Sequence, residues 1–353
     1  MAFSPEVSVG PHTIGPDHPP FVIAEMSGNH NGDLDRALAI VDAVADSGAH
    51  AVKIQTYTAD TITIDVDGPA FRVEDGHGLW GGRTLHQLYD EAHTPWEWHR
   101  PIFERARERG LVPFSSPFDA TAVELLEGLG AELYKNASAE IVDLPLIRLI
   151  AGTGKPVLMS TGMATLGEIA AAVEAAESAG CTDLVLLACT ASYPADAADA
   201  RLHNIALLSE AFGLPVGLSD HTLGIGVGVA AVALGAVCLE KHVTLDRADG
   251  GVDSAFSLEP AELAALRAES EAAWLASRGP SRVGPTESEQ SVLRLRRSLY
   301  VVADVRAGDE VTEANVRSIR PAGGLPPDAI TTVLGRRFSR DAARGTPLTW
   351  DLV

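Results

Sequence analysis

Over the first 245 residues, apolar and polar positions follow two alternating periods. Short apolar runs bounded by Gly, Pro or polar residues occur at 21–25, 51–55, 111–116, 132–135, 156–160, 184–190, 215–219 and 236–242, each of strand length. Between most of them lie stretches with apolar residues three and four apart. Two examples are DLDRALAIVDAVADSG at 33–48 and TLGEIAAAVEAAESAG at 165–180, which predict amphipathic helices, the second closed by its glycine. Strand and helix alternating eight times, with strands apolar enough for burial on both faces, predict a (β/α)8 barrel. An open doubly wound sheet would be expected to carry GxGxxG after its first strand. None follows residue 25.

The predicted strands share one further property: their carboxyl ends are polar. In order they finish near Glu25, Lys53 with Gln55, Ser115 with Ser116, Lys135, Ser160, Thr190, Ser219 to His221, and Glu240 to His242. A barrel enzyme builds its active site from those ends and the loops after them. The stretch 216–242 concentrates the pattern, with one run closing on Ser219-Asp220-His221 and the next on Glu240-Lys241-His242. Parallel neighbours would project His221 and His242 from adjacent strand ends, where they could share one metal ion. Two ordinary hydrogen-bonded histidines are the alternative.

The second connection, residues 56–95, holds about 40 residues, the length of a lid or binding loop, although a decorative insertion has the same look. After a helical pattern at 260–276 comes SRGPSRVGPTESEQ, which reads as a linker. The expected organisation is a barrel over 1–279, a linker over 280–293 and a small β-rich domain over 294–353, too small to be very stable alone.

Charge narrows the partners. The net charge is −21, with only four lysines among 27 basic residues. Nucleic acid and anionic membrane would be repelled, and an anionic substrate needs a local cationic pocket. Lys53, Lys135 and Lys241 fall in or at the end of apolar runs, where a charge is costly without a partner, so they mark the expected pocket. Three cysteines without CxxC spacing argue against a disulfide framework or a zinc knuckle. No membrane span or signal peptide is expected, and a reducing cytoplasm is the expected location.

Longer motifs then come into view. IAEMSGNHNG (23–32), AVKIQTYTAD (51–60), GLWGGRTLHQLYDEAHTPWEWH (78–99), FSSPF (114–118), MSTGMAT (159–165), GLSDHTLGIG (217–226), LEKH (239–242), GGVDSAFSLEP (250–260) and SLYVVADVRAGDEVTEANVRSIRP (298–321) together resemble the sialic acid synthase family, most closely its pseudaminic branch. The tail is similar to the family's antifreeze-like (SAF) domain. The resemblance implies condensation of phosphoenolpyruvate with an N-acetylated amino sugar. For this branch that sugar is 2,4-diacetamido-2,4,6-trideoxy-L-altrose, and the products are a nine-carbon 2-keto acid and phosphate.

Carried over residue by residue, the resemblance implies that His221 and His242 bind a divalent cation, commonly Mn²⁺, with Mg²⁺ or Co²⁺ as alternatives. It implies that Lys53, Ser116, Lys135, Ser138, Ser160, Tyr193 and Ser219 serve substrate binding, the lysines and serines around phosphoenolpyruvate. Glu25, Glu140, Glu240 and Asp253 match acidic catalytic positions, and Arg320 matches an arginine that reaches the partner's barrel in a domain-exchanged homodimer. Four positions depart from the family pattern: Asn136 in an apolar slot, Ala188 for a lysine, Ala191 for a polar residue, and Val243 for a phenylalanine. All four are expected at strand ends near the pocket, where a modified acceptor, reduced activity and simple drift are the alternative consequences. Other acceptors (N-acetylmannosamine, the legionaminic acid precursor, a specialised-metabolism sugar), a condensation with a sugar phosphate, and a non-catalytic binding descendant are the alternatives.

Overall fold

The computed structural model describes residues 3–73 and 79–353. The chain divides into two compact units, Met1–Gly279 and Pro280–Val353. In the first, eight parallel strands close into a barrel in chain order: β1 Phe21–Glu25, β2 Ala51–Thr56, β3 Val112–Pro117, β4 Tyr134–Asn136, β5 Val157–Ser160, β6 Leu184–Cys189, β7 Val216–Asp220 and β8 Cys238–His242. β8 closes on β1, with His242 opposite Glu25. Helices follow the strands, among them Leu34–Asp46, Leu166–Ser178 and Gly226–Ala233.

Local chemistry sets the helix starts. Asp33 accepts from the backbone N–H groups of Asp35 and Arg36, and Thr165 and Glu168 form a reciprocal capping box, so each satisfies donors that the first turn leaves free. The helix Leu166–Ser178 ends before Gly180, whose φ of +92° suits a residue without Cβ.

One alternation sorts the strand residues into two cores. Even-phase positions of β1 and β2 (Val22, Ala24, Val52, Ile54), with Leu186 and Leu218, pack outward against the helices. Odd-phase positions (Phe21, Ile23, Ala51), with Val112, Phe114, Leu133, Leu158, Val185, Leu187 and Cys238, fill the barrel interior. A hairpin, Val7–Val9 with His12–Ile14, contributes Val7, Val9 and Ile14 to that inner core. Since side chains repeat every second residue, the inward phase that is apolar below continues upward into Glu25, Lys53, Gln55, Ser116, Lys135, Ser160, Cys189, Ser219, Glu240 and His242.

The second unit holds a two-stranded antiparallel sheet, β9 Ser298–Val301 with β10 Val316–Ile319. Its core comprises Leu299, Val301, Val311, Val316, Val333, Phe338 and Leu348, among others. Much of the rest is turn structure. Gly324 must lack a side chain, because a Cβ there would sit 2.0 Å from the Leu299 carbonyl oxygen. Arg320 follows β10 and is exposed.

Candidate active site

Lys53 stands at the centre of the barrel mouth. Its Nζ lies 2.6 Å from Glu25 Oε2 and 3.6 Å from Glu240 Oε1, and it donates to Ser116 Oγ at 3.3 Å. All four residues are buried. Ser219 Oγ donates to Glu240 Oε1 at 3.2 Å. Glu25 Oε1 also accepts from Gln55 Nε2 at 3.1 Å and from the backbone of Ser27 at 3.1 Å. Ser27 takes a φ of +47°, a strained setting for a residue with a side chain, and its hydroxyl accepts from Gln55 Nε2.

These charges set one another. Burial opposes ionisation of Glu240, yet Lys135 and Lys53 outweigh it and hold that carboxyl below its usual range. Burial wins at Glu25 and raises it despite Lys53. Lys53 is raised, because Glu240 and Glu25 overcome its desolvation; Lys135 is lowered by burial. Lys135 Nζ donates to the Asn136 carbonyl. The Gly162 N–H donates to Ser138 Oγ at 3.2 Å, and a Cβ at residue 162 would collide with that hydroxyl. Ser160 Oγ and Glu240 Oε2 are buried and, among the described residues, have no hydrogen-bond partner. Such atoms in a site are expected to meet a ligand.

The two histidines lie side by side, with ring centroids 5.3 Å apart. His221 Nδ1 is 3.0 Å from the Thr190 carbonyl; a carbonyl only accepts, so that nitrogen carries a proton, and in the neutral ring Nε2 holds the lone pair. Burial opposes charging of this imidazole, yet Cys189, the Thr190 carbonyl and Glu240 outweigh it and raise it above the usual range, so a cation would have to displace a proton there. His242 Nδ1 is buried without a hydrogen-bond partner among the described residues, and stands 3.7 Å from Asp253 Oδ2. Burial lowers His242 far below the usual imidazole range, which keeps it neutral, as a ligand must be. This donor set fits a divalent cation that takes two imidazoles and leaves positions open. No group of three or more His, Cys, Asp or Glu among the described residues forms a complete metal cage.

Aromatic rings wall the site. Tyr193 lies 4.3 Å from His221 and 5.5 Å from Trp80, and Trp80 Nε1 donates to the Val252 carbonyl at 2.7 Å. Tyr57 packs edge-on against Tyr89 and Phe118. The long connection 56–95 therefore supplies Tyr57, Trp80 and Tyr89 to this face. Its residues 74–78, including the glycine that opens the GLW motif, lie outside the described residues. Beside the ring of charges opens a cavity of about 520 Å³ lined by Thr161, Met163, Cys189, Thr190, Ala191 and Arg201, among others.

Of the residues singled out in the sequence, Glu25, Lys53, Ser116, Ser219 and Glu240 form one hydrogen-bonded and charged cluster. His221, His242, Asp253 and Tyr193 form its neighbour. Lys135 and Ser160 belong to the inward phase beside the cluster, Ser138 bonds Gly162, and the buried Glu140 carboxyl is raised by desolvation. Arg320 is in the other unit.

Two expectations are corrected. Lys241 does not face the pocket: it is in the outward phase, its Nζ 3.0 Å from Asp220 Oδ2, with both side chains 1% exposed. Ala188 and Val243 belong to the outer core, and Asn136 lies two residues from outward-facing Tyr134 on β4. Of the four departures, Ala191 and Ala188 line the cavity beside the charges, Ala191 lying 3.3 Å from where a Gly162 Cβ would be. Gln55, named among the polar strand ends, joins the cluster, whereas Ser27, Cys189 and Tyr57 are not among the candidate residues of the sequence. Gln55 and Cys189 were legible as inward-phase strand ends, whereas nothing in the sequence marks Ser27.

A closed parallel barrel with buried acids, lysines and paired histidines at the carboxyl ends of its strands defines a barrel enzyme with an anion-binding mouth. Residues 40–280 match the NeuB family and residues 296–353 the SAF domain. The chain is 41% identical over 331 residues to the pseudaminic acid synthase of Campylobacter jejuni, covering 93% of this chain and 95% of that one. It is 39% identical to the pseudaminic acid synthase of Helicobacter pylori, covering 94% and 97%. Among solved structures, the N-acetylneuraminic acid (sialic acid) synthetase of Leptospira borgpetersenii superposes with a TM-score of 0.71 at 33% identity, over 83% of this chain and 96% of that one. The chain belongs to the NeuB family and is a synthase.

Proposed function

We propose that this protein condenses phosphoenolpyruvate with the open-chain form of 2,4-diacetamido-2,4,6-trideoxy-L-altrose and water, giving a nine-carbon 2-keto acid and phosphate. The observation that carries the reading is the buried cluster in which Lys53 is clamped between Glu25 and Glu240, with Lys135 and several serine hydroxyls around it in a protein of net charge −21. Compact ammonium groups and hydroxyl donors suit a phosphate and a carboxylate, and the high identity to pseudaminic acid synthases supports the choice of sugar.

Lys53, Ser116, Lys135, Ser138, Ser160 and Ser219 hold phosphoenolpyruvate with its C3 toward the aldehyde. C3 attacks the sugar C1: the C2=C3 π pair becomes the new carbon–carbon bond and leaves C2 cationic, while the aldehyde π pair moves to its oxygen, which takes a proton from an acid side chain. Water then adds to C2, and its proton passes to one of the carboxylates Glu25, Glu140, Glu240 or Asp253. The C2–O bond to phosphate breaks, and phosphate leaves as the ketone forms. Tyr193 packs the acceptor side beside His221. A divalent cation held by His221 and His242, Mn²⁺ in the first instance, would polarise the aldehyde oxygen and lower the pKa of a bound water. The second unit of a partner copy supplies Arg320 to the sugar, so the working form is a homodimer in the cytoplasm. No described helix is long and apolar enough to cross a membrane.

The substrate is tested by mass analysis of products from the trideoxy sugar, N-acetylmannosamine and the legionaminic acid precursor, each with phosphoenolpyruvate and Mn²⁺. Product from the trideoxy sugar alone is expected. Preferred turnover of either other acceptor would replace the proposed one.

A further inference from the structure

Among the described residues, Asp220 and Lys241 form a buried charged pair at the strand ends that the proposed chemistry leaves unused. The two residues are direct neighbours across the β7–β8 ladder, and each immediately precedes a histidine of the candidate metal pair. The two-residue repeat sends the histidines toward the barrel axis and their predecessors outward, beneath the helix Gly226–Ala233. There the Lys241 ammonium meets Asp220 Oδ2 at 3.0 Å and also donates to the Thr222 carbonyl. Asp220 Oδ1 accepts from the Thr222 N–H at 2.9 Å and from its hydroxyl at 2.7 Å.

The turn 220–222, with His221 at its middle, is thus bound at both ends to a cation on β8. The next residue of β8 is His242. From the other side the Ala195 N–H donates to the His221 carbonyl at 3.0 Å. Over the pair lies Gly228, where a Cβ would stand 3.7 Å from Asp220 Oδ2, so the helix closes on the charges and keeps water out. A buried ion pair is a poor device for stability, since apolar residues of the same volume often do as well or better. What it supplies is a fixed geometry.

We infer that the Asp220–Lys241 ion pair is a positioning device that sets the spacing and direction of His221 and His242, and through them the affinity for a divalent cation. Neither residue touches substrate or cation. The inference rests on the reading of the two histidines as metal ligands.

The test compares wild type, His221→Ala and the double variant Asp220→Asn/Lys241→Met, which removes both charges together and leaves neither buried alone. Mn²⁺ binding is followed by electron paramagnetic resonance of the free ion, phosphoenolpyruvate binding to metal-free protein by calorimetry, and folding by circular dichroism. The double variant is expected to fold, to bind phosphoenolpyruvate like wild type, and to bind Mn²⁺ about 10- to 100-fold more weakly, the usual cost of losing an outer support of a metal ligand. Unchanged Mn²⁺ affinity in the folded variant would overturn the inference and leave the metal reading standing. A parallel loss of both affinities would make the pair merely structural and overturn it too. Wild-type protein that binds no Mn²⁺ would remove the metal reading and this inference together. Should the methionine variant not fold, Asp220→Asn/Lys241→Gln, which keeps a hydrogen bond across the gap, carries the same comparison with the same outcomes.

Discussion

Lys53 shows how much a single side chain can organise. It is a buried ammonium whose Nζ faces Glu25 and Glu240 at 2.6 and 3.6 Å, so its single charge offsets part of the repulsion between the two acids, and Lys135 adds a second cation toward Glu240. Lys53→Met is expected to lower kcat/KM for phosphoenolpyruvate by about 10²–10³, the loss typical of one well-placed electrostatic group. A steady-state assay that found full activity would detach the cluster from catalysis. His221→Ala is expected to abolish metal-dependent turnover while leaving phosphoenolpyruvate bound, which calorimetry and the activity assay can separate. Full activity with metal bound would sink the ligand assignment. Three histidines outside the cluster play a different part. Burial lowers His30, His50 and His99 to about 4, against about 6.5 in an unfolded chain. Between those values the unfolded chain binds more protons, so stability is full above pH 6.5 and is lost as pH falls toward 4. From pH 7 to pH 5 each histidine costs about 2 kcal/mol. For His99→Gln, chemical denaturation at the two pH values should show a difference smaller than wild type by about that amount; an equal difference would mean His99 is charged in the fold.

At the scale of elements, the barrel strands carry the information in their phase. The runs at 21–25 and 51–55 could be read as strands from composition, and their polar ends pointed to a site, because a two-residue repeat that is apolar inside must place residues 25 and 53 in the mouth. The same repeat, applied to 236–242, puts Glu240 and His242 inside and Lys241 outside. Counting lysines overlooked this, since charge alone does not reveal which face a residue takes. Ser27 and Tyr57 were not legible, because loop conformation is fixed by distant partners such as Gln55 and Phe118 rather than by local pattern. Interior packing leaves little slack: a Cβ on Gly217 of β7 would lie 2.3 Å from Cys238 Sγ and 2.6 Å from its carbonyl oxygen. Gly217→Ala should therefore cost about 1–3 kcal/mol through overpacking, visible as a lower thermal midpoint, and an unchanged midpoint would show that β8 can shift.

For the molecule as a whole, charge sets the approach of substrate. A phosphoenolpyruvate trianion meets a net charge of −21 before it reaches Lys53 and Lys135, so screening eases its entry more than it weakens contacts already buried. The value of kcat/KM for phosphoenolpyruvate should rise as ionic strength increases from about 10 to about 100 mM, over which the Debye length shrinks from about 30 to about 10 Å; a steep fall would place the binding cations at the surface. The central claim, that this barrel mouth joins phosphoenolpyruvate to an aldehyde sugar, is met most directly by quantifying phosphate and 2-keto acid together in one reaction, with each component omitted in turn. Phosphate and keto acid in equal amounts, both vanishing without the sugar, is the expected result. Phosphate released without the sugar would make the protein a phosphatase toward phosphoenolpyruvate, and would contradict the condensation.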